Sequence, residues 1–160
     1  MGYAHKHRWT NPSLRHTPIS GERYIAPEFM EREWDHIWSK VWLLVARAPD
    51  IPKSGDYTLE EIGAESFITM RQNDASVQVF ANQCPHRGGR LILKPEGNIG
   101  EIVCPHCKAT WSLDGEPVDP SGTSLNQYRN DSIAGFVFMT MNQTGPTLQD
   151  YLGPVWDDWK

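Results

Sequence analysis

Cys84-Pro85-His86-Arg87-Gly88, followed by Cys104-Pro105-His106-Cys107, is the stretch from which the rest of the 160-residue chain is read. It sets out a C-x-H pair, seventeen intervening residues, and then a C-x2-C pair. Soft thiolates and imidazole gathered in this way suit zinc or an iron-sulfur cluster. In a Cys-Pro-x-Cys turn the backbone N–H groups can point at the first thiolate and stabilise its charge, while both side chains converge on one centre. Lys108 adds positive charge beside it, and Arg87 with Gly88-Gly89 makes the first pair a second tight, donor-rich loop. Two such loops can enclose a tetrahedral zinc or two sulfide-bridged irons. Chance proximity of the four side chains in unrelated turns is the weaker reading.

Working outward, each loop is predicted to leave the end of a strand. Val77, Val79 and Ala81 alternate with polar neighbours and run into Cys84; residues 99–103 do the same for Cys104, and 110–113 return into an Asp114-Gly115 turn. Residues 57–62 and 66–71 read as further strands, the second joined to 77–82 by a hairpin turn at 72–76. The apolar run 42–46 reads as a buried strand and 136–141 as the last one. Pro27, Glu28 and Glu31 suit a helix start, and Met30, Trp34, Ile37, Trp38, Val41 and Trp42 recur at three- and four-residue steps, which predicts an amphipathic helix. Residues 116–132 read as loop, and 147–153 as a short helix with Thr147 as cap and Gly153 as stop. The expected architecture is mainly antiparallel β, with an irregular arm over 1–26 and one domain over 27–160.

Composition narrows the chemistry. The net charge is −5 with no basic cluster, which argues against a nucleic-acid partner. Three cysteines cannot close a disulfide framework, and two of them stand in C-x2-C, so metal ligation in a reducing compartment, the cytoplasm, is expected. No run of 18 apolar residues and no apolar stretch behind the basic start is present, so neither a membrane span nor a signal peptide is expected. His5, His7 and His16 fall in the polar arm and His36 in the helix, where solvated or packed roles outweigh ligation. Core packing is likewise the stronger reading for Trp42 and Trp111.

On these residues the chain resembles the N-terminal Rieske domain of the large (alpha) subunit of ring-hydroxylating, Rieske non-haem iron oxygenases. The likeness runs from ERYIAPEFMEREWDHIWSKVWLLVARAPDIPKSGDY (22–57) through NQCPHRGGRL (82–91), GNIGEIVCP (97–105) and TWSLDGE (110–116) to GFVFMTMN (135–142) and LQDYLGP (148–154). The resemblance implies a small β-barrel-like or sandwich domain with a 2Fe-2S cluster at its tip, Cys84 and Cys104 binding one iron and His86 the other. It implies electron transfer from a reductase or ferredoxin to a mononuclear iron in another domain or chain, as in the family's dioxygenases and monooxygenases. It also implies trimers in which one subunit's cluster meets a bridging Asp of its neighbour.

The chain departs from that family at the fourth ligand. Family members carry C-x2-H in the second loop, usually with Tyr before the His; here His106 takes the Tyr place and Cys107 the His place. Three readings stay open: a Cys3His 2Fe-2S centre using Cys107, a centre ligated by His106 with Cys107 spare, and a structural zinc held by Cys84, His86, Cys104 and Cys107. The first implies a lower potential than Cys2His2 centres have and one titrating imidazole instead of two; Cys107 also lacks the N–H through which the family's second-loop His meets the bridging Asp. No His follows His106, so no 2-His-1-carboxylate iron site is expected, and the catalytic domain is expected to be absent. Alone, the chain is expected to transfer single electrons and to hydroxylate nothing. The competing class is a zinc-stabilised structural or interaction domain without redox function.

Overall fold

The computed structural model of the chain describes residues 21–160. His5, His7, His16 and most of the expected arm lie outside the described residues; Gly21–Tyr24 form an exposed 3-10 turn. The centre of the fold is the hairpin of β3 (Glu65–Arg71) and β4 (Val77–Ala81), in the register Ile68 opposite Phe80 and Thr69 opposite Val79. Successive side chains of a strand face opposite ways, so Phe67 and Val79 go to one face and Ile68, Met70 and Phe80 to the other. All five are fully buried, which leaves this sheet covered on both sides.

The sheet is antiparallel and seven-stranded, in the order β1 (Leu43–Arg47), β9 (Phe136–Thr140), β8 (Gln127–Ile133), β4, β3, β2 (Asp56–Ile62), β5 (Glu96–Asn98). A separate two-stranded ribbon, β6 (Ile102–Val103) with β7 (Thr110–Trp111), carries the second cysteine loop. On one face of the large sheet Val45, Phe67, Val79, Val137 and Met139 form a core. On the other, Tyr57, Ile68, Met70 and Phe80 pack against Leu91, Ile102, Trp111, Leu113 and Leu125, together with Cys84 and Cys104. The mainly antiparallel β architecture is thus as expected, and the cysteine loops are built over one face of it.

Three local expectations need correction. The predicted helix reaching Trp42 is an α-helix, α1, only over Pro27–Glu33; it widens into a π turn at Trp34–Trp38, where the Ser39 N–H donates to the Trp34 carbonyl at 3.1 Å. Trp42 leaves the helical stripe because it is buried with Ile133 and Leu148, its indole N–H donating to the Pro146 carbonyl at 3.2 Å. Residues 116–132 are not all loop, since Gln127–Ile133 is the sheet strand β8. In the strand predicted over 99–103 only Ile102–Val103 pairs, while Glu96–Asn98 forms an edge strand on β2. The C-terminal helix α2 (Leu148–Leu152) starts as predicted: Thr147 Oγ1 accepts from the Asp150 N–H, and Gly153 ends it at φ +55°. A last short helix, α3, covers Val155–Asp158. No described helix is long and apolar enough to cross a membrane.

Candidate metal centre

Two loops built on the same backbone plan hold the predicted ligands. In loop 1 the Cys84 N–H donates to the Gly89 carbonyl and the Gly88 N–H returns to the Cys84 carbonyl, both at 2.8 Å. In loop 2 the Cys104 N–H donates to the Ala109 carbonyl at 2.9 Å and the Lys108 N–H to the Cys104 carbonyl at 3.1 Å. The residue four places after each cysteine is left-handed, Gly88 at φ +72° and Lys108 at φ +63°. Glycine adopts that conformation freely, whereas Lys108 pays strain for it; its Nζ donates to the Pro105 carbonyl at 3.0 Å across the same turn.

The loops bring four donors together. The sulfurs of Cys84, Cys104 and Cys107 all lie within 4.8 Å of one another, with Cys84 and Cys107 Sγ 3.6 Å apart. His86 Nδ1 stands 3.5 Å from Cys107 Sγ and 3.9 Å from Cys84 Sγ. His106, the alternative fourth ligand, turns its ring toward Gly89: a Cβ added there would come within 2.9 Å of its Cδ2. Trp111 lies beneath, fully buried, its ring 6.3 Å from that of His86 and its indole N–H donating to the Thr123 carbonyl at 2.8 Å. It is a core residue.

The arrangement is electrostatically two-sided. Cys84 and Cys104 are buried and Cys107 is exposed. Burial pushes the Cys84 thiol up, opposed by the backbone N–H groups of His86 and Arg87. Burial also pushes Cys104 up, but the backbone N–H groups of Cys107 and His106, with the neighbouring thiols, outweigh it and bring Cys104 down to about 7. Amides aimed at a thiolate are what an anionic sulfur ligand needs. Three sulfurs and one imidazole, converging from two loops whose amides face the sulfurs, fit an iron-sulfur cluster.

A family model, described as the Rieske [2Fe-2S] domain, matches residues 41–129. The chain belongs to the Rieske [2Fe-2S] domain family. It is 31% identical, over 77% of its length, to the N,N-dimethyl phenylurea N-demethylase subunit alpha of Sphingobium sp. (strain YBL2). It is 33% identical, over 79% of its length, to the large oxygenase component of the naphthalene 1,2-dioxygenase system of Pseudomonas putida. This Rieske chain spans 30% and 31% of those two proteins. Among solved structures, a quaternary ammonium Rieske monooxygenase in complex with gamma-butyrobetaine superposes with a TM-score of 0.78 at 27% identity, over 86% of this chain and 42% of that one. The chain is therefore homologous to the electron-transfer domain of Rieske oxygenases, and its cofactor is a 2Fe-2S cluster. Nothing in the comparisons supports the zinc alternative.

Asn82 is the residue that reading by motif missed. It is buried at the start of loop 1 and hydrogen-bonded to the loop's far end. Its only signal in the sequence is a polar side chain directly after the apolar Val79-Phe80-Ala81 run.

Proposed function

We propose that this chain is the electron-transfer module of a Rieske oxygenase, taking one electron at a time from a reductase or ferredoxin and passing it to a mononuclear iron site in another domain or chain. The observation that carries the reading is the convergence of the Cys84, Cys104 and Cys107 sulfurs with His86 Nδ1 at one place on two matched loops. In this reading Cys84 and Cys104 hold the inner iron, and His86 with Cys107 the outer one. When bound, the cluster supplies a one-electron couple. The protein's part is to fix the donors, to screen the inner sulfurs by burial, and to leave the Cys107 side exposed toward a partner.

The Cys107 thiolate distinguishes this centre from the Cys2His2 type. It adds one negative charge at the exposed edge, which favours the oxidised state and lowers the potential. It also removes a ring N–H from the side that faces a partner, so any hydrogen bond to that partner must come from elsewhere. The three free thiols support a reducing compartment, in keeping with the cytoplasm. The oxygenase chemistry itself belongs to the partner site, and the related proteins named above include a demethylase, a dioxygenase and a monooxygenase.

Anaerobically purified wild-type chain, Cys107→Ala and His106→Ala, compared by iron and sulfide content and by EPR after dithionite reduction, test the assignment. Wild type and His106→Ala should each carry the two irons and two sulfides of a 2Fe-2S cluster and give the same rhombic signal, whereas Cys107→Ala should lose most of both. The reverse pattern would make His106 the ligand and overturn the Cys3His reading.

A further inference from the structure

Loop 1 is held at both ends by protein groups that are not ligands. Asn82 closes β4, and its side chain is 2% exposed. Its Oδ1 accepts from the backbone N–H groups of Leu91 and Ile92, at 3.1 and 2.9 Å. Its Nδ2 donates to the Ile92 carbonyl at 2.8 Å and to Ser66 Oγ at 3.1 Å, and its backbone N–H donates to the Ser66 carbonyl at 2.8 Å. Every polar position of the side-chain amide is therefore used. The pattern is specific to an amide at this position. An aspartate would turn an acceptor toward the Ile92 carbonyl, and an apolar residue would leave the Leu91 and Ile92 groups without these bonds.

A second arm reaches the same point from β2. Ser66 Oγ donates to Glu61 Oε1 at 2.9 Å, and Glu61 receives both Arg90 guanidinium nitrogens, at 2.7 and 2.8 Å. Arg90 precedes Leu91, so the exit of loop 1 is tied to the β2–β3 edge from two directions. Between entry and exit stand Cys84, His86 and the His86 and Arg87 amides that act on the Cys84 thiol. None of the Asn82 bonds involves a sulfur or a metal.

We propose that Asn82 is a positioning residue that holds loop 1 in its ligand-ready shape before any metal arrives, with the Ser66–Glu61–Arg90 chain as its outer brace. This rests on the reading of Cys84 and His86 as ligands only for its effect on the cluster. The hold on the loop stands independently of it. A pre-shaped loop keeps Cys84 buried in the metal-free protein, and keeps the two amides directed at its sulfur once the cluster is in place. Hydrogen bonds to the sulfurs are among the determinants of an iron-sulfur potential, so loosening the loop lowers it.

The test compares the 160-residue wild-type chain with Asn82→Ala, Arg90→Ala and Val137→Ala. Val137 is buried in the core on the opposite sheet face, so its substitution supplies a loss of stability unconnected with the loop. In metal-free, reduced protein, alkylation of Cys84 by iodoacetamide, read by peptide mass, should be at least tenfold faster in Asn82→Ala than in wild type, intermediate in Arg90→Ala, and little changed in Val137→Ala. In the loaded proteins, Asn82→Ala should broaden the EPR g-spread and lower the potential, while Val137→Ala at a similar melting temperature leaves both alone. Equal alkylation rates and unshifted spectra in Asn82→Ala and Val137→Ala would overturn the proposal. If Asn82→Ala does not fold, the exposed Arg90→Ala carries the same comparison, and a wild-type rate of Cys84 alkylation in it is the overturning result. A wild-type chain that binds no iron would sink the ligand assignment and not the clamp, because the alkylation of metal-free protein reads the loop alone.

Discussion

On the proposed ligand set, a single residue, Cys107, decides the character of the centre. At position 107 the side chain is exposed and its Sγ lies 3.6 Å from Cys84 Sγ, while Cys84 and Cys104 are buried. Replacing it with a neutral ring should move the couple upward: Cys107→His is expected to keep the cluster and raise the potential by on the order of 100 mV, measured by spectroelectrochemical titration. An unchanged or lower potential would mean that Cys107 is not a ligand. That Cys84, His86 and Cys104 come together was legible from spacing alone, because a C-x-H and a following Cys admit few other chemistries. Which of His106 and Cys107 turns toward Cys84 was not, since adjacent residues of one turn differ only in direction. That direction is set by the left-handed backbone at Lys108 and by the packing of His106 on Gly89, neither of which has a periodic signature. Asn82 escaped for a similar reason: its bonds span nine and ten residues of loop and depend on where that loop closes.

At the scale of elements, the turns carry as much information as the strands. Gly115 sits in the predicted Asp114-Gly115 turn at φ +83°, and a Cβ there would come within 2.6 Å of Phe80 Cε1. Left-handed strain and the clash with a fully buried ring together should make Gly115→Ala cost about 2 kcal/mol or more, read as a fall in the urea midpoint with unchanged slope. A cost below about 0.5 kcal/mol would show that Phe80 gives way freely. The hairpin 65–81 and the capped helix α2 were legible because alternation and cap chemistry are local. Strand β8 was not: Gln127-Tyr128-Arg129-Asn130-Asp131-Ser132-Ile133 is mostly polar, and of its seven side chains only Ile133 is buried. Arg129 explains part of its polar character, donating to the carbonyls of Asn142, Gly145 and Pro146 and lying 5.5 Å over the Trp42 ring. The helical stripe 30–42 misled in the other direction. Its period is real, but Met30 and Ile37 stay 46% exposed, and the α-helix stops at Glu33.

For the molecule as a whole, the sheet divides the labour. One face, with Phe67, Val79 and Val137, supplies stability away from the loops; the other, with Ile68, Phe80 and Trp111, is the bed on which Cys84 and Cys104 are buried. The Cys107 edge is exposed, and the Cys84 and Cys104 sulfurs are buried away from solvent. That division leads to a simple expectation of stoichiometry, since a single 2Fe-2S centre exchanges one electron. The most direct test is an anaerobic reductive titration of the intact chain with EPR spin quantitation and metal analysis on the same sample. One electron should be taken up, and one S = 1/2 spin formed, for every two irons bound per chain. One zinc per chain, with no electron uptake and no spin, would contradict it.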